Sequence, residues 1–500
     1  MVTSTTLPPP RGTFFTDITP RLDFRKAVTG WGASFVDVDG DGFDDAVFPG
    51  FENLQILRNR GDGTFDPAIV VSEPEGWGLY VYSADIVGDS AEDLVYVLNT
   101  GTEVLERTAP GVFNHRPAYL PDDPTGYLPW VLSFADFGSR GHLDLYVSRF
   151  TTTEPDVDPK LNPCELVVKP ILGAPDLLLR FNGSSYEDVT AESGVSTVLL
   201  SQAVATADID GDEEIDLLVG IDRDVDRYFV QQPDDTFVDE RTAFGIDQES
   251  AAMGFSVADV DGDLVAEILI TDIGDNWLLV RQPDGNFANE SVARGLGAPN
   301  GRTSGWGNAL QDFDNDGDVD VDAFAVNGSV AVGLCGDPDF AWQRNEFYLN
   351  DGTGQFQRII DAPAHDGLQV NQSSRAAAFV DIDHDGDINV LISNMGGPTL
   401  LRNEMGSAGN WIQLKLIDGD LAPPVGASVL LSAAGRVQKR WVVGTPSFGG
   451  SSSRWIHFGL GDATAIDSIM VTWPDGSSDQ LEDQSANRFA VISKTAATNN

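Results

Sequence analysis

The stretch Asp312-Phe313-Asp314-Asn315-Asp316-Gly317-Asp318-Val319-Asp320 sets carboxylates at positions 1, 3, 5 and 9 of a nine-residue loop, with glycine at position 6. Carboxylates this close repel by roughly 1 kcal/mol per pair in water, and by more where water is excluded. Oxygens at positions 1, 3 and 5, a backbone carbonyl at 7 and a carboxylate further on suit a hard cation that takes six to eight oxygen ligands, which points to Ca²⁺. Gly317 permits the sharp turn back onto the ion. An EF-hand shares the first half of the pattern but needs Glu at position 12 and flanking helices. Position 12 here is Ala323, and the apolar, partly β-branched flanks read as strands, so this is a calcium loop inside a β-hairpin.

The motif recurs. Full copies are Asp37, Asp39, Asp41, Asp45; Asp208, Asp210, Asp212, Asp216; Asp259, Asp261, Asp263, Glu267; Asp312, Asp314, Asp316, Asp320; and Asp381, Asp383, Asp385, Asn389. About five calcium ions are expected on these residues. Two degenerate copies start at Asp85 and Asp136. The first has Val87 at position 3. The second has Gly138 and Arg140 at positions 3 and 5, where Arg140 itself can supply the positive charge. The spacing of the seven starts is near 50 residues, with four strand-like pieces per unit, which is the period of a propeller blade rather than a helical repeat. The outer strand of each unit recurs as Tyr186-Glu187-Asp188, Phe237-Val238-Asp239 and Phe287-Ala288-Asn289. Phe14-Phe15-Thr16-Asp17 stands alone before the first loop, while the last unit, ending near Asn403, lacks a fourth strand.

The expected fold is therefore all-β: a seven-bladed β-propeller over residues 11–403, closed by the N-terminal strand so that no edge is left exposed. A small-residue linker over 404–409 leads to a small β-sandwich-like domain over 410–495.

Charge narrows the partners. With 30 Lys+Arg against 78 Asp+Glu, the net charge of −48 repels nucleic acid and anionic membrane surfaces. A hydrophobic content of 41% still supports a sizeable core, and no 18-residue apolar run spans a membrane. The missing apolar leader reads as a cytoplasmic protein, or as a secreted one whose leader has been removed. Cys164 and Cys335 are too few for a disulfide framework.

The acidic hairpins resemble the FG-GAP/VCBS repeats of integrin α-subunit propellers and of many bacterial proteins. Val425-Gly426-Ala427, His457-Phe458-Gly459-Leu460-Gly461, Ile466 to Val471 and Trp473-Pro474-Asp475-Gly476 resemble the ASPIC/UnbV domain. Together they look like the cartilage acidic protein family. The resemblance implies a seven-bladed propeller with calcium on one face and ligands on the other, and no single activity.

Ligand chemistry is expected opposite the calcium loops, around the axial channel. Trp31, Trp77, Tyr80, Trp130 and Trp306 fall near that mouth, with Arg302 and Arg375 as candidates to hold an anionic or sugar-like ligand, against a plain packing role for the aromatics. His365 and Asp366 are the weak acid–base candidates, against a surface turn. Insertions near 150–170 and 327–342, each with one cysteine, would overhang the mouth. Two functions are expected: a calcium-stabilised recognition module for a glycan, protein or small molecule, or a lyase- or cyclase-type biosynthetic enzyme at the mouth. An enclosed aromatic cavity with a buried Arg or His favours the enzyme, an open wet mouth the module. Arg60-Gly61-Asp62 sits in an outer turn and reads as chance.

Overall fold

Alternation in the strands decides the layering. The computed structural model describes residues 12–25, 31–50, 53–72, 76–117, 119–121, 127–152, 173–297, 303–318, 321–329, 342–360, 362–363, 366–406, 409–419 and 423–495. The recurring outer strands Tyr186–Asp188, Phe237–Asp239, Phe287–Asn289 and Phe356–Arg358 each bury their leading aromatic and leave the following residues toward solvent. The second strands, such as Asp45–Gly50 and Asp93–Leu98, are buried throughout, because their sheets are covered on both faces.

Up to Asn403 seven main antiparallel sheets follow chain order, except that the last takes its outer strand from the N-terminus. Two short pairs, Ala174–Pro175 with Val198–Leu199 and Gln343–Arg344 with Asn371–Gln372, lie beside them. Six of the main sheets have four strands, and the one built on Ser201–Ala207 carries a fifth, Glu249–Ala251. The first strands are Ser34–Val36, Gly78–Ala84, Tyr127–Ala135, Ser201–Ala207, Gly254–Ala258, Gly305–Gln311 and Ser374–Val380. Each packs against the next, and Ser374–Val380 packs back on Ser34–Val36, so the seven sheets close a ring. Crowding at the axis selects small side chains. A Cβ on Gly254 would lie 2.6 Å from Trp306 O, and one on Gly307 2.6 Å from the Ala377 nitrogen.

The N-terminal strand closes the ring. Phe15–Asp17 pairs antiparallel with Thr399–Asn403, supplying the missing fourth strand of the last sheet. Phe15 is fully buried, its ring edge-on to Phe313, Phe324 and Phe347. Burial of such a side chain contributes about 2–3 kcal/mol. The sheets from Asn410 onward form a second layer pair. Asn410–Ile417 lies between Ile456–Gly461 and Arg488–Ser493, and Ser428–Ala433 lies between Arg436–Trp441 and Ala465–Thr472. Ile412, Leu414, Val429, Leu431, Phe458, Ile469 and Trp473 fill the space between them.

The segment joining Arg436–Trp441 to Ile456–Gly461 leaves this second body and enters the ring. Thr206 O accepts from Gly444 N (2.9 Å), Leu132 O from Thr445 Oγ1 (2.7 Å) and Phe255 O from Ser447 N (2.7 Å). Ser447 Oγ accepts from Asn308 N (3.0 Å) and donates to Ala377 O (3.1 Å). Ser451 N donates to Ser34 Oγ (2.8 Å), and its hydroxyl accepts from Ser83 N (3.1 Å). One finger of small polar residues thus bonds to the first strand of every sheet. It satisfies inward-facing groups that a narrow channel would otherwise leave unpaired.

Ser447→Ala removes the acceptor of a buried N–H and is expected to lower the stability of the whole chain by about 1–3 kcal/mol. Thermal melts of the variant check this, and an unchanged melt would place the finger outside the channel.

Candidate functional site

The acidic loops share one construction. The first aspartate turns its oxygens onto loop amides. Asp37 accepts from Gly40 N (2.7 Å), Asp41 N (3.1 Å) and Gly42 N (3.0 Å), and Asp208, Asp259 and Asp381 repeat the pattern. The residue that opens the second strand ties the loop to the sheet. Asp45 accepts from Val38 N (3.1 Å) and Asn59 N (2.7 Å), and Asp216, Glu267 and Asn389 take Ile209 N, Val260 N and Ile382 N in the same way.

Five groups place three carboxylate oxygens within 4.8 Å of one another: Asp37, Asp39 and Asp41; Asp208, Asp210 and Asp216; Asp259, Asp261 and Asp263; Asp312, Asp314 and Asp322; Asp381, Asp383 and Asp385. They coincide with the five full motifs. Asp212 and Asp316 flank their groups, accepting from Glu214 N and Asp318 N. In the fourth loop the expected Asp320 lies outside the described residues. Asp322 does there what Asp45 does in the first loop, accepting from Phe313 N (3.1 Å) and Asn350 N (3.0 Å). The loop is two residues longer than its relatives. The signal was present: second strands open acid-apolar-apolar, as in Asp45-Ala46-Val47, and Asp322-Ala323-Phe324 fits that register where Asp320-Val321-Asp322 does not.

These residues fit a divalent cation. Asp312 Oδ2, Asp261 Oδ1 and Asp383 Oδ1 are buried without a hydrogen-bond partner. Burial, reinforced by neighbouring loop carboxylates, pushes Asp381 up to about 8 and Glu267 up to about 9. A divalent cation held by these hard oxygen ligands would supply the missing positive charge. At the degenerate loop of Asp136 the charge is already present. The Arg140 guanidinium donates to Phe137 O and sits 3.5 Å from Asp144, with Arg180 3.6 Å from the same carboxylate. Excess chelator is therefore expected to lower the melting temperature, at about 2.7 kcal/mol per site for calcium held at a hundredfold excess over Kd. An unchanged melt in chelator would sink the calcium assignment.

The second body docks on this acidic end. Asn315 Nδ2 donates to Gly386 O (2.9 Å) and Gly406 O (3.1 Å), which leaves Oδ1 to accept from His457 Nε2 (2.7 Å). Gly461 N donates to Asn315 O (3.1 Å), and a Cβ on Gly459 would stand 2.0 Å from Asp312 Oδ2. The His-Phe-Gly-Leu-Gly run is thus the surface that meets the Asp312 loop, and its glycines are required by contact. Buried Glu92 binds Arg454 (3.0 Å) and Lys415 (3.5 Å) across the same seam. A cavity of about 330 Å³ lies between the two bodies, with Arg107, Arg440 and His457 in its wall.

Burial, then the nearby Arg440 charge, pushes His457 down to about 3, below its ordinary 6.5. Its neutral form stabilises the seam fully above pH 6.5, and that contribution is lost as pH falls toward 3. Melting temperatures followed into acid should drop more steeply for the native chain than for His457→Gln. Parallel slopes would contradict the seam assignment.

At the other end of the first strands the expected aromatics do converge. Trp130 is edge-on to Trp31 (5.4 Å) and Tyr80 (5.6 Å), and Arg375 lies over Trp306 (4.3 Å) and Trp31 (5.6 Å). Tyr80, Trp130, Trp306 and Arg375 are buried, whereas Trp77 is 39% exposed. Phe448, at the tip of the finger, meets Tyr80 (5.4 Å) and Trp306 (5.1 Å). Arg375 donates to Ser329 O (2.8 Å) and Ser374 O (2.8 Å). Among the described residues it forms no ion pair, and burial pushes it down to about 10. Arg302, His365, Cys164 and Cys335 lie outside the described residues.

Asp366, the weak acid–base candidate weighed against a surface turn, is buried. It accepts from Phe14 N (2.5 Å), Phe15 N (3.2 Å) and Leu368 N (2.9 Å), anchoring the strand that closes the ring.

Residues 420–499 match the model described as ASPIC and UnbV, and residues 37–96 match the FG-GAP-like repeat. The chain carries an FG-GAP-like repeat and an ASPIC and UnbV domain. It is similar to cartilage acidic protein 1 of Mus musculus, 24% identical over 493 residues that cover 91% of this chain and 72% of that protein. The Homo sapiens protein of the same name is 24% identical over 500 residues, covering 91% and 70%. Among solved structures, an Agrocybe aegerita lectin described as recognising non-reducing terminal N-acetylglucosamine aligns at a TM-score of 0.43, with 17% identity over 75% of this chain and 94% of its own. BBS1N in complex with ARL6DN aligns at 0.46, with 10% identity over 79% and 98%. The docking surface at Gly459 to Gly461 and the finger both lie within the ASPIC and UnbV segment.

Proposed function

We propose that the protein is a calcium-stabilised, seven-bladed β-propeller recognition module. Its ligand, a glycan, protein or small molecule, binds at the end of the channel opposite the calcium loops. The observation that carries this reading is the convergence of Trp31, Tyr80, Trp130 and Trp306 on buried Arg375 at that end. Rigid strands hold these side chains, as a pre-formed site requires. About five Ca²⁺ ions, on the full motifs, would keep the turns at the other end closed without taking part in binding. The acidic surface argues for partners other than nucleic acid, and no helix among the described residues is long and apolar enough to cross a membrane.

The enclosure of Arg375 favours a small molecule over a broad protein epitope, and it is also the observation that supports the second reading, a lyase- or cyclase-type enzyme. Tyr80 is the ionisable group that bears on Arg375 at this end, and burial raises it well above its ordinary range, which suits it to binding better than to proton transfer. A glycan array and a small-molecule thermal-shift screen, both run with calcium, test the reading. Binding that is weakened at least about fivefold by Trp306→Ala is expected, since an aromatic anchor of this kind contributes about 1 kcal/mol or more. Turnover of a bound compound would favour the enzyme, and ligands indifferent to Trp306→Ala would remove the site from this end.

A further inference from the structure

The net charge of −48 makes a buried arginine without a carboxylate partner anomalous, and among the described residues Arg375, at 5% exposure, has none. Among the described residues, three buried donors at this end have no hydrogen-bond partner: Arg375 Nε, Tyr80 Oη and Trp130 Nε1. Each belongs to a side chain more than nine-tenths buried. Leaving such groups unmade is costly, and proteins tolerate it chiefly where a ligand, ion or ordered water completes the set. The guanidinium is already oriented: Ser329 O and Ser374 O accept from its two Nη groups, at 2.8 Å each, while Ser373 Oγ lies 3.4 Å from Nη1. Aromatic faces occupy its flanks.

Resting on the recognition reading above, we propose that this end of the channel takes a small monocarboxylate with an apolar body. Arg375, Tyr80 and Trp130 present donors to the carboxylate, and Trp31, Trp306 and Phe448 pack on the rest. The lining selects this chemistry. A single buried cation balances one negative charge, so a dianionic phosphate would be left half compensated, and a neutral sugar would leave the guanidinium charge unmatched. Phe448 makes the ASPIC and UnbV segment part of the site. Its tip fits because residue 449 is glycine, where φ is +70° and a Cβ would stand 2.6 Å from the Tyr80 ring.

Benzoate and its uncharged isostere benzamide are the probes, titrated into the full-length, calcium-loaded protein and read by tryptophan fluorescence and melting temperature. Benzoate should bind saturably and benzamide at least about tenfold more weakly, the difference made by a charge-assisted contact. Arg375→Gln should bring benzoate to the benzamide level, and Arg375→Lys should retain part of the preference. Tyr80→Phe should weaken benzoate about fivefold while the ligand-free melt stays level or rises, because the lost hydroxyl has no partner among the described residues. If Arg375→Gln does not fold, the benzoate-to-benzamide ratio of the native chain and the Tyr80→Phe pair decide. Equal binding of the two probes, no saturable response to benzoate, or a Tyr80→Phe variant that loses stability and keeps its affinity overturns the proposal. A glycan or protein ligand indifferent to Arg375→Gln would overturn it too, while leaving the recognition reading intact.

Discussion

Carboxylate repulsion at the hairpin turns is the constraint on which the rest of the molecule depends. Five loops each bring three carboxylates within 4.8 Å of one another, some with oxygens buried and unpartnered. Such a turn is destabilised unless positive charge offsets the repulsion. The turns differ in where that charge can come from. At Asp136 an arginine of the loop enters the turn. At the full motifs the carboxylates and the backbone around them present the oxygen set of a hard divalent cation. Because the Asp312 loop also receives His457 and Gly461 through Asn315, the charge state of that turn bears directly on how the second body docks.

That docking reaches further than a surface contact. The finger that begins after Trp441 bonds to the first strand of every sheet and ends with Phe448 against Tyr80 and Trp306, at the far side of the ring. The two ends of the molecule are therefore connected through one segment. Because the finger forms part of the wall around Arg375, a change in charge at the acidic turns is expected to reach that wall through the seam and the finger.

Much of the frame was legible because each sheet repeats one pattern. The aromatic-acid outer strands, the acidic turn and the lone Phe14-Phe15-Thr16-Asp17 strand all sit where period and alternation put them. The convergence of Trp31, Tyr80, Trp130, Trp306 and Arg375 was legible as well, since each falls near the start of a first strand. Legibility failed where a residue's role depends on a long-range contact. Asp366 reads as an acid beside a histidine, yet two of its three amide partners lie some 350 residues away. Asp322 was hidden by a run of alternating aspartates that offers several registers. The finger was hidden most completely: Thr445 to Ser453 has no periodicity and reads as a loop, and only its length hints at a purpose.

The central claim, that charge compensation at the acidic turns holds the finger in the channel, is tested most directly by amide hydrogen exchange of residues 442–455 with calcium and in excess chelator. The account predicts strong protection of the Ser447 and Ser451 amides with calcium, and exchange at least about tenfold faster in chelator, at a temperature where the sheets remain folded. Equal protection in both conditions would contradict it, showing that the finger is held independently of the turns.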